Sequence, residues 1–323
     1  MNTYASSRRD FLKAGAGLLG LAVPGITSLG SASAKKLPLL SFSTLGCPDW
    51  TFPAIIDFAS KNAYSGIEVR GILREMDLVK CSEFNSAENI AATLRQMGDH
   101  QLKFVNLGSS AELHHADPAA RQRNLDEGRR FIDLAHQLQC PYIRVFPNRL
   151  PKEQEPNATI GLITRGLLEL GEHARNSGVT VLMETHGDLV ETAVLEQIMQ
   201  GAFGPNTGLI WDIYNMWSIT KEPPAQVYPK LKKYIRHTHI KDGKTIGGHM
   251  EGGKIVDGKE QYLLLGQGES PIFEAIGLLH KDGYPGYYSF EWEKLWHPEI
   301  AEPEVALTDY PKTMKKFFRL TAS

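Results

Sequence analysis

The chain is poor in cysteine, with only Cys47, Cys81 and Cys140 among 323 residues. Three is too few for a disulfide scaffold, and an odd number cannot pair completely. Cys140 opens an apolar, strand-like run and reads as a small buried hydrophobe; a Cys47–Cys81 bridge is the pairing left open. An excess of charge of one sign is also missing. With 35 basic and 37 acidic residues the formal charge is −2, which gives no electrostatic footprint for nucleic acid or anionic lipid. Long apolar runs are absent apart from one near the start, Ala14 to about Leu29. Glycines and Pro24 break that run, and it is shorter than the ~20 residues of a membrane span. No linker-like or low-complexity stretch divides the remainder.

That N-terminal stretch has a pattern of its own. Arg8-Arg9, followed by Asp10-Phe11-Leu12-Lys13, precedes the apolar run, which ends in Ala32-Ser33-Ala34. This is the layout of a twin-arginine export signal with a small-residue cleavage site. We expect residues 1–34 to be removed on passage through the twin-arginine translocation machinery to the periplasm. Residues 35–323 would remain as a single catalytic domain with no membrane attachment. Its 289 residues carry 32 basic against 36 acidic side chains, a net charge of −4. A literal Gly-x-Gly-x-x-Gly at Gly15, Gly17 and Gly20 lies inside the signal, follows no strand and opens no βαβ unit, so it is not a nucleotide loop. The sequon Asn157-Ala158-Thr159 reads as a helix N-terminus.

Beyond the signal, short strand-like runs alternate with longer helical patterns, which argues for βα units around a parallel sheet. Strands are expected at 39–42, 66–70, 103–107, 142–146, 179–183, 209–212, 235–240 and 287–292. Helices are expected at 53–61, 87–100, 118–138, 159–174, 189–199, 228–233, 271–280 and 310–320. The Gly-rich stretch 243–268 is expected to be a long loop. Eight strands and eight helices in strict alternation predict a (β/α)8 TIM barrel. The competing open, doubly wound sheet normally has a Gly-rich turn after its first strand, and none is present.

Active sites of such barrels are built at the C-terminal ends of the strands. Those ends carry Glu184-Thr185-His186, Trp211-Asp212, His237-Thr238-His239-Ile240-Lys241-Asp242 and Glu291-Trp292-Glu293. Because side chains alternate, Glu184 shares a face with His186, His237 with His239, and Glu291 with Glu293. So much anionic charge in one barrel mouth is costly without a compensating cation. The mixture of carboxylates and imidazoles suits Mn²⁺, Mg²⁺, Co²⁺ or Zn²⁺.

With these residues in place, the chain resembles the xylose-isomerase-like sugar isomerase/epimerase superfamily over nearly all of residues 38–320. The resemblance is carried by Ser43-Thr44-Leu45-Gly46-Cys47-Pro48-Asp49-Trp50, Gly66-Ile67-Glu68-Val69-Arg70, Met183-Glu184-Thr185-His186, Trp211-Asp212, the His237–Asp242 run, Leu265-Gly266-Gln267-Gly268 and Ser289-Phe290-Glu291. It implies one divalent metal ion, Mn²⁺ favoured, held by Glu184, Asp212, His239 and Glu291. It also implies a small sugar or cyclitol substrate whose carbonyl and neighbouring hydroxyl sit on that ion, with Glu184 and Glu291 moving a proton through an enediolate. Relatives in this superfamily are often dimers or tetramers, so a homo-oligomer is expected.

Substrate contacts are expected from His186, Asn215, His237, Lys241, Arg144 and Glu68. Arg70, Asn106, the His114-His115 pair and Trp211, Trp217 and Trp292 are weaker candidates that structural roles would equally explain. Ketose 3-epimerases of the superfamily usually have a histidine where this chain has Asn215, and an amide cannot shuttle protons. A lyase or dehydratase that eliminates a β-substituent from a keto-sugar, keto-glycoside or inosose is therefore the alternative outcome. Two other readings are a metal-dependent phosphodiesterase like the related abasic-site endonucleases, and a non-catalytic sugar-binding protein. Gln267 and the acidic net charge argue against the first.

Overall fold

The structure is a computed structural model and describes residues 38–320. The export signal expected over residues 1–34, its cleavage point and the last three residues lie outside that range. In chain order the elements are β1 (Leu39–Ser43), α1 (Phe52–Lys61), β2 (Gly66–Val69), α2 (Ala87–Asp99), β3 (Lys103–Glu112), α3 (Pro118–Gln137), β4 (Tyr142–Phe146), α4 (Pro156–His173), β5 (Thr180–Glu184), α5 (Thr192–Ala202) and β6 (Thr207–Asp212). There follow α6 (Ile213–Thr220), α7 (Pro224–Leu231), β7 (Ile235–Ile240), β8 (Asp242–Ile246), β9 (His249–Glu251), β10 (Lys254–Val256), β11 (Lys259–Leu263), α8 (Ile272–Lys281), β12 (Tyr287–Phe290) and α9 (Pro303–Leu320). The strands β1 to β7 and β12 pair in parallel and close on themselves, β12 lying between β7 and β1. The fold is a (β/α)8 TIM barrel, as the alternation predicts.

Local chemistry sets the helix starts. Thr51, Ser86 and Asp117 each accept a hydrogen bond from a backbone N–H in the first turn of α1, α2 and α3, which satisfies donors that the helix leaves free. Pro118 and Pro156 open α3 and α4, where a missing N–H costs nothing. Asn157 and Thr159 lie in the first turn of α4, where the sequon was expected. The inner helix faces are apolar: Ile55, Ile56 and Ala59 of α1, Phe131, Ile132 and Ala135 of α3, and Leu167 and Leu170 of α4 are buried. Each large side chain contributes about 1.5–3 kcal/mol of burial free energy.

Three expectations need correction. Residues 213–220 form a helix that carries no amphipathic signal, because it is buried nearly all round (Ile213, Tyr214, Asn215, Met216, Ser218 and Thr220). Residues 224–231 form a helix that starts four residues earlier than expected, since Pro224 opens it rather than breaking it. The stretch 243–268 is not a loop. In it β8 pairs antiparallel with β11, and β9 with β10. The glycines supply the turns: Gly252 and Gly253, both at positive φ (56° and 84°), make the two-residue link between β9 and β10, a conformation such hairpins require.

The three cysteines are buried free thiols, so no Cys47–Cys81 bridge is present.

Candidate active site

The C-terminal rim of the barrel gathers the chemistry. Glu184 ends β5, Asp212 ends β6, His239 lies on β7, and Glu291 directly follows β12, its N–H donating to Ile240 O at 3.0 Å as if the ladder continued. These four come from neighbouring strands of the closed sheet. One ligand atom from each lies within 4.8 Å of all the others, and all four side chains are buried. His239 Nδ1 stands 3.0 Å from Glu184 Oε1, 3.3 Å from Glu291 Oε1 and 3.8 Å from Asp212 Oδ2. Asp212 also caps α6, its Oδ1 accepting from Asn215 N–H at 2.8 Å. That bond fixes the carboxylate and leaves Oδ2 aimed into the cluster.

Two cations flank the cluster. Arg144 on β4 donates through Nη1 to Glu184 Oε2 at 3.0 Å and to Glu291 Oε1 at 3.5 Å, and its guanidinium lies 4.1 Å from the centre of the Phe146 ring. Lys241 Nζ donates to Glu291 Oε2 at 2.8 Å and Glu293 Oε1 at 2.5 Å, and stands 3.0 Å from Asp212 Oδ2. Asp212 Oδ2 is nevertheless buried without a well-directed hydrogen bond.

Burial raises the carboxyl of Asp212 to about 8, with the charges of Glu291 and Glu184 adding to burial and outweighing Lys241. Burial would push the Glu291 carboxyl up as well, but His239, Lys241 and Arg144 hold it well below the usual range. The His239 imidazole rises well above its ordinary value, since the surrounding carboxylates outweigh its burial. Without an ion, protons on Asp212 and His239 relieve part of the negative charge of the three carboxylates. A divalent cation supplies the same two positive charges, and the three carboxylates with one imidazole form an oxygen-rich donor set suited to it. The residues present fit a divalent metal ion.

Beneath the cluster, Glu68 on β2 bonds His239 Nε2 (3.0 Å), His237 Nε2 (2.9 Å) and Ser289 Oγ (3.0 Å). Glu68 and His237 are fully buried below the cleft and line neither of its chambers. Of the expected substrate contacts, these two do not face the cleft. Arg70 does reach the cleft, where it donates to Gly108 O and Ser110 Oγ, whereas Asn106 is fully buried.

His186 lines the cleft, its ring 4.5 Å from that of Phe146 and its Nδ1 2.8 Å from Asn148 Oδ1. Asn215 lines the outer part, its side-chain amide donating to Thr185 O. The rings of His114 and His115 lie 4.1 Å apart, tilted by 35°, and both lean on Glu112. Trp211 and Trp292 are core residues, stacked on Tyr228 and Phe290, and Trp217 packs against the core.

Asn148, Glu293 and Trp296 also line the cleft, and none of them was assigned a role from sequence. Asn148 follows β4 at φ 65°, a conformation asparagine tolerates, and links Glu112 to His186. Nothing in the sequence singles out Trp296, which follows the barrel and is exposed at the cleft mouth. Glu293, which shares a face with Glu291, was within reach.

A model of the xylose isomerase-like TIM barrel matches residues 56–311. The chain belongs to that family. Among curated relatives, fructoselysine 3-epimerase of Shigella flexneri is 25% identical over 181 residues, 54% of this chain. The match spans 60% of that epimerase's own length. Similar solved structures include the probable 3-DHS dehydratase AsbF of Bacillus anthracis (TM-score 0.68, 16% identity, 86% of this chain and 98% of that one). They also include the 3-keto-D-glucoside 4-epimerase YcjR of E. coli (0.63, 15%, 87% and 100%). A third is a xylose isomerase-like TIM barrel protein of Mycobacterium smegmatis in complex with magnesium (0.64, 16%, 88% and 96%). At these identities the structural likeness shows the shared barrel.

Proposed function

We propose that this xylose isomerase-like barrel is a divalent-metal-dependent isomerase or epimerase of a keto-sugar, moving a proton at the carbon next to the carbonyl. The convergence of Glu184, Asp212, His239 and Glu291 within 4.8 Å carries the reading. These four would hold the ion, Mn²⁺ by preference among Mn²⁺, Mg²⁺, Co²⁺ and Zn²⁺. When bound, the ion would supply Lewis acidity toward the carbonyl of a keto-sugar.

The protein's own groups do the rest. Glu184 and Glu291 enter the cluster from β5 and from the end of β12, so they flank what lies between them. Each keeps one oxygen bonded to a cation, Arg144 or Lys241, which holds both carboxylates ionised and able to accept a proton. Arg144 and Lys241 offer N–H donors to an oxygen that gains negative charge. His186 and Glu293, on the cleft wall, are placed to hold sugar hydroxyls.

A second reading, elimination of a β-substituent, is favoured by Asn215. Its amide is bonded to Thr185 O and cannot carry a proton. Elimination needs one base and one acid, and Lys241 beside Glu291 and Glu293 provides both. The similarity to a probable dehydratase supports keeping this outcome.

The test is NMR in D₂O with metal-loaded protein and a panel of keto-sugars. Deuterium should enter at the carbon next to the carbonyl, and Glu184→Gln and Glu291→Gln should each abolish it. Full exchange in either variant removes that residue from the mechanism, and no exchange with any member of a broad panel leaves a binding protein. Product analysis separates epimer from eliminated product. We extend the proposal to export by the twin-arginine route; replacement of Arg8-Arg9 by two lysines should retain the precursor in the cytoplasm.

A further inference from the structure

The cleft has two chambers. The inner one, about 250 Å³, holds Arg144, Glu184, Lys241 and Glu291. The outer one, about 750 Å³, lies against the double hairpin β8–β11, with Thr245, Ile255, Gly258 and Glu260 among its walls. His186 and Glu293 line both, so the chambers adjoin. The inner chamber is smaller than the ~300 Å³ at the low end of ligand sites, whereas the outer is well within the range.

The outer wall is built, not incidental. Asp242, next to Lys241, accepts hydrogen bonds from Gly243, Gly266 and Gly268 N–H and from Ser270 Oγ, which ties the base of the hairpin to the chain that follows it. A Cβ on Gly268 would lie 2.1 Å from Asp242 Oδ1, so the fastening requires glycine there. At the far end, Lys254 Nζ donates to Asp188 O at 2.7 Å and pairs with Glu191 at 2.9 Å, anchoring the outer hairpin to the chain after β5. Glu260 is held by Ser218 Oγ at 2.6 Å and Tyr262 OH at 2.8 Å.

Resting on the keto-sugar reading above, we propose that the outer chamber is a second subsite. It would receive an uncharged, hydroxyl-rich group, such as a second sugar ring, linked to the keto-sugar in the inner chamber. Its polar lining can exchange hydrogen bonds with hydroxyls. Three carboxylates (Glu260, Glu293, Glu299) against one ammonium (Lys259) disfavour an anionic appendage. The hairpin is then a specificity device, and contacts remote from the reacting carbon contribute to turnover there.

The test compares kcat/KM for deuterium exchange on a methyl keto-glucoside, the corresponding keto-disaccharide and a keto-disaccharide whose second ring is a uronic acid. The neutral disaccharide should exceed the methyl glycoside by about tenfold or more, and the uronic acid should lose that advantage. Two variants remove the subsite: residues 247–258 replaced by Asn-Gly, which joins the paired Ile246 and Lys259, and Ile255→Trp, which fills the chamber should the shortened chain not fold. In both, the disaccharide-to-methyl ratio should fall to near one. Equal use of the two glycosides by the native protein, or a ratio unchanged in a folded variant, overturns the proposal. If no glycoside exchanges, the catalytic reading fails separately. Calorimetry then decides the subsite: maltose binding that Ile255→Trp abolishes supports it, and absent or unaffected binding overturns it.

Discussion

His239 is held from both sides: its Nε2 lies 3.0 Å from Glu68 Oε1, while its Nδ1 lies 3.0 Å from Glu184 Oε1. A carboxylate behind an imidazole fixes the ring and keeps the proton on the far nitrogen, leaving the near one free to ligate. Glu68 is thus a positioning residue. Burial alone would raise its carboxyl, but His239 and His237 hold it well below the ordinary range.

Glu68→Gln keeps the shape and removes the charge. It should weaken Mn²⁺ binding by about 10- to 100-fold, measured by competition with a chromogenic chelator. Native affinity in the variant would show that packing of the barrel wall orients His239 without that charge.

Lys241→Met should separate binding from turnover. Removing the ammonium 3.0 Å from Asp212 and 2.8 Å from Glu291 leaves the cluster more negative, so divalent-ion affinity should rise severalfold. Turnover should drop by about a hundredfold, as for loss of a donor to a developing oxyanion. A drop in ion affinity instead would mean that Lys241 holds the ligands in place.

Chelation should abolish exchange and added Mn²⁺ restore it. Far-UV circular dichroism should stay native, since Arg144 and Lys241 still neutralise part of the buried charge. The melting temperature should fall by a few degrees, as loss of a native-state ligand dictates. Unfolding on chelation would make the ion structural rather than catalytic.

Alkaline pH should destabilise the fold. Burial pushes the Cys81 and Cys140 thiols up to about 12 from their ordinary value of 9.0. Both groups stay protonated in the folded state while the unfolded chain ionises, so their contribution is complete below pH 9 and is lost as pH rises toward 12. Each should cost about 1.4 kcal/mol per pH unit in that window. Urea unfolding from pH 8 to 10.5 reads the slope, and Cys140→Ala should reduce it by one group's share. An identical slope in that variant would assign the effect elsewhere.

Much of the site was legible because strand ends are short and their side chains alternate strictly. Glu184, Asp212, His239 and Glu291 could be placed on one rim from β-periodicity and barrel topology alone. Depth was not legible. His237 and His239 share a face, but two residues of strand separate them by about 6–7 Å along the barrel. One therefore joins the carboxylate cluster, and the other lies a layer below with Glu68. Helix α6 was hidden for a related reason: a segment buried on all sides has no apolar stripe to find.

The sequence by itself determined the barrel, through the alternation of two periodicities, and the anionic character of its rim, through the residues that end each strand. Only the tertiary structure decided which polar groups face the cleft, and that residues 243–268 wall a second chamber instead of forming a loop. Those outcomes depend on strand stagger and on pairing between segments far apart in the chain. Local preferences of a Gly-rich stretch or a lone histidine do not encode either.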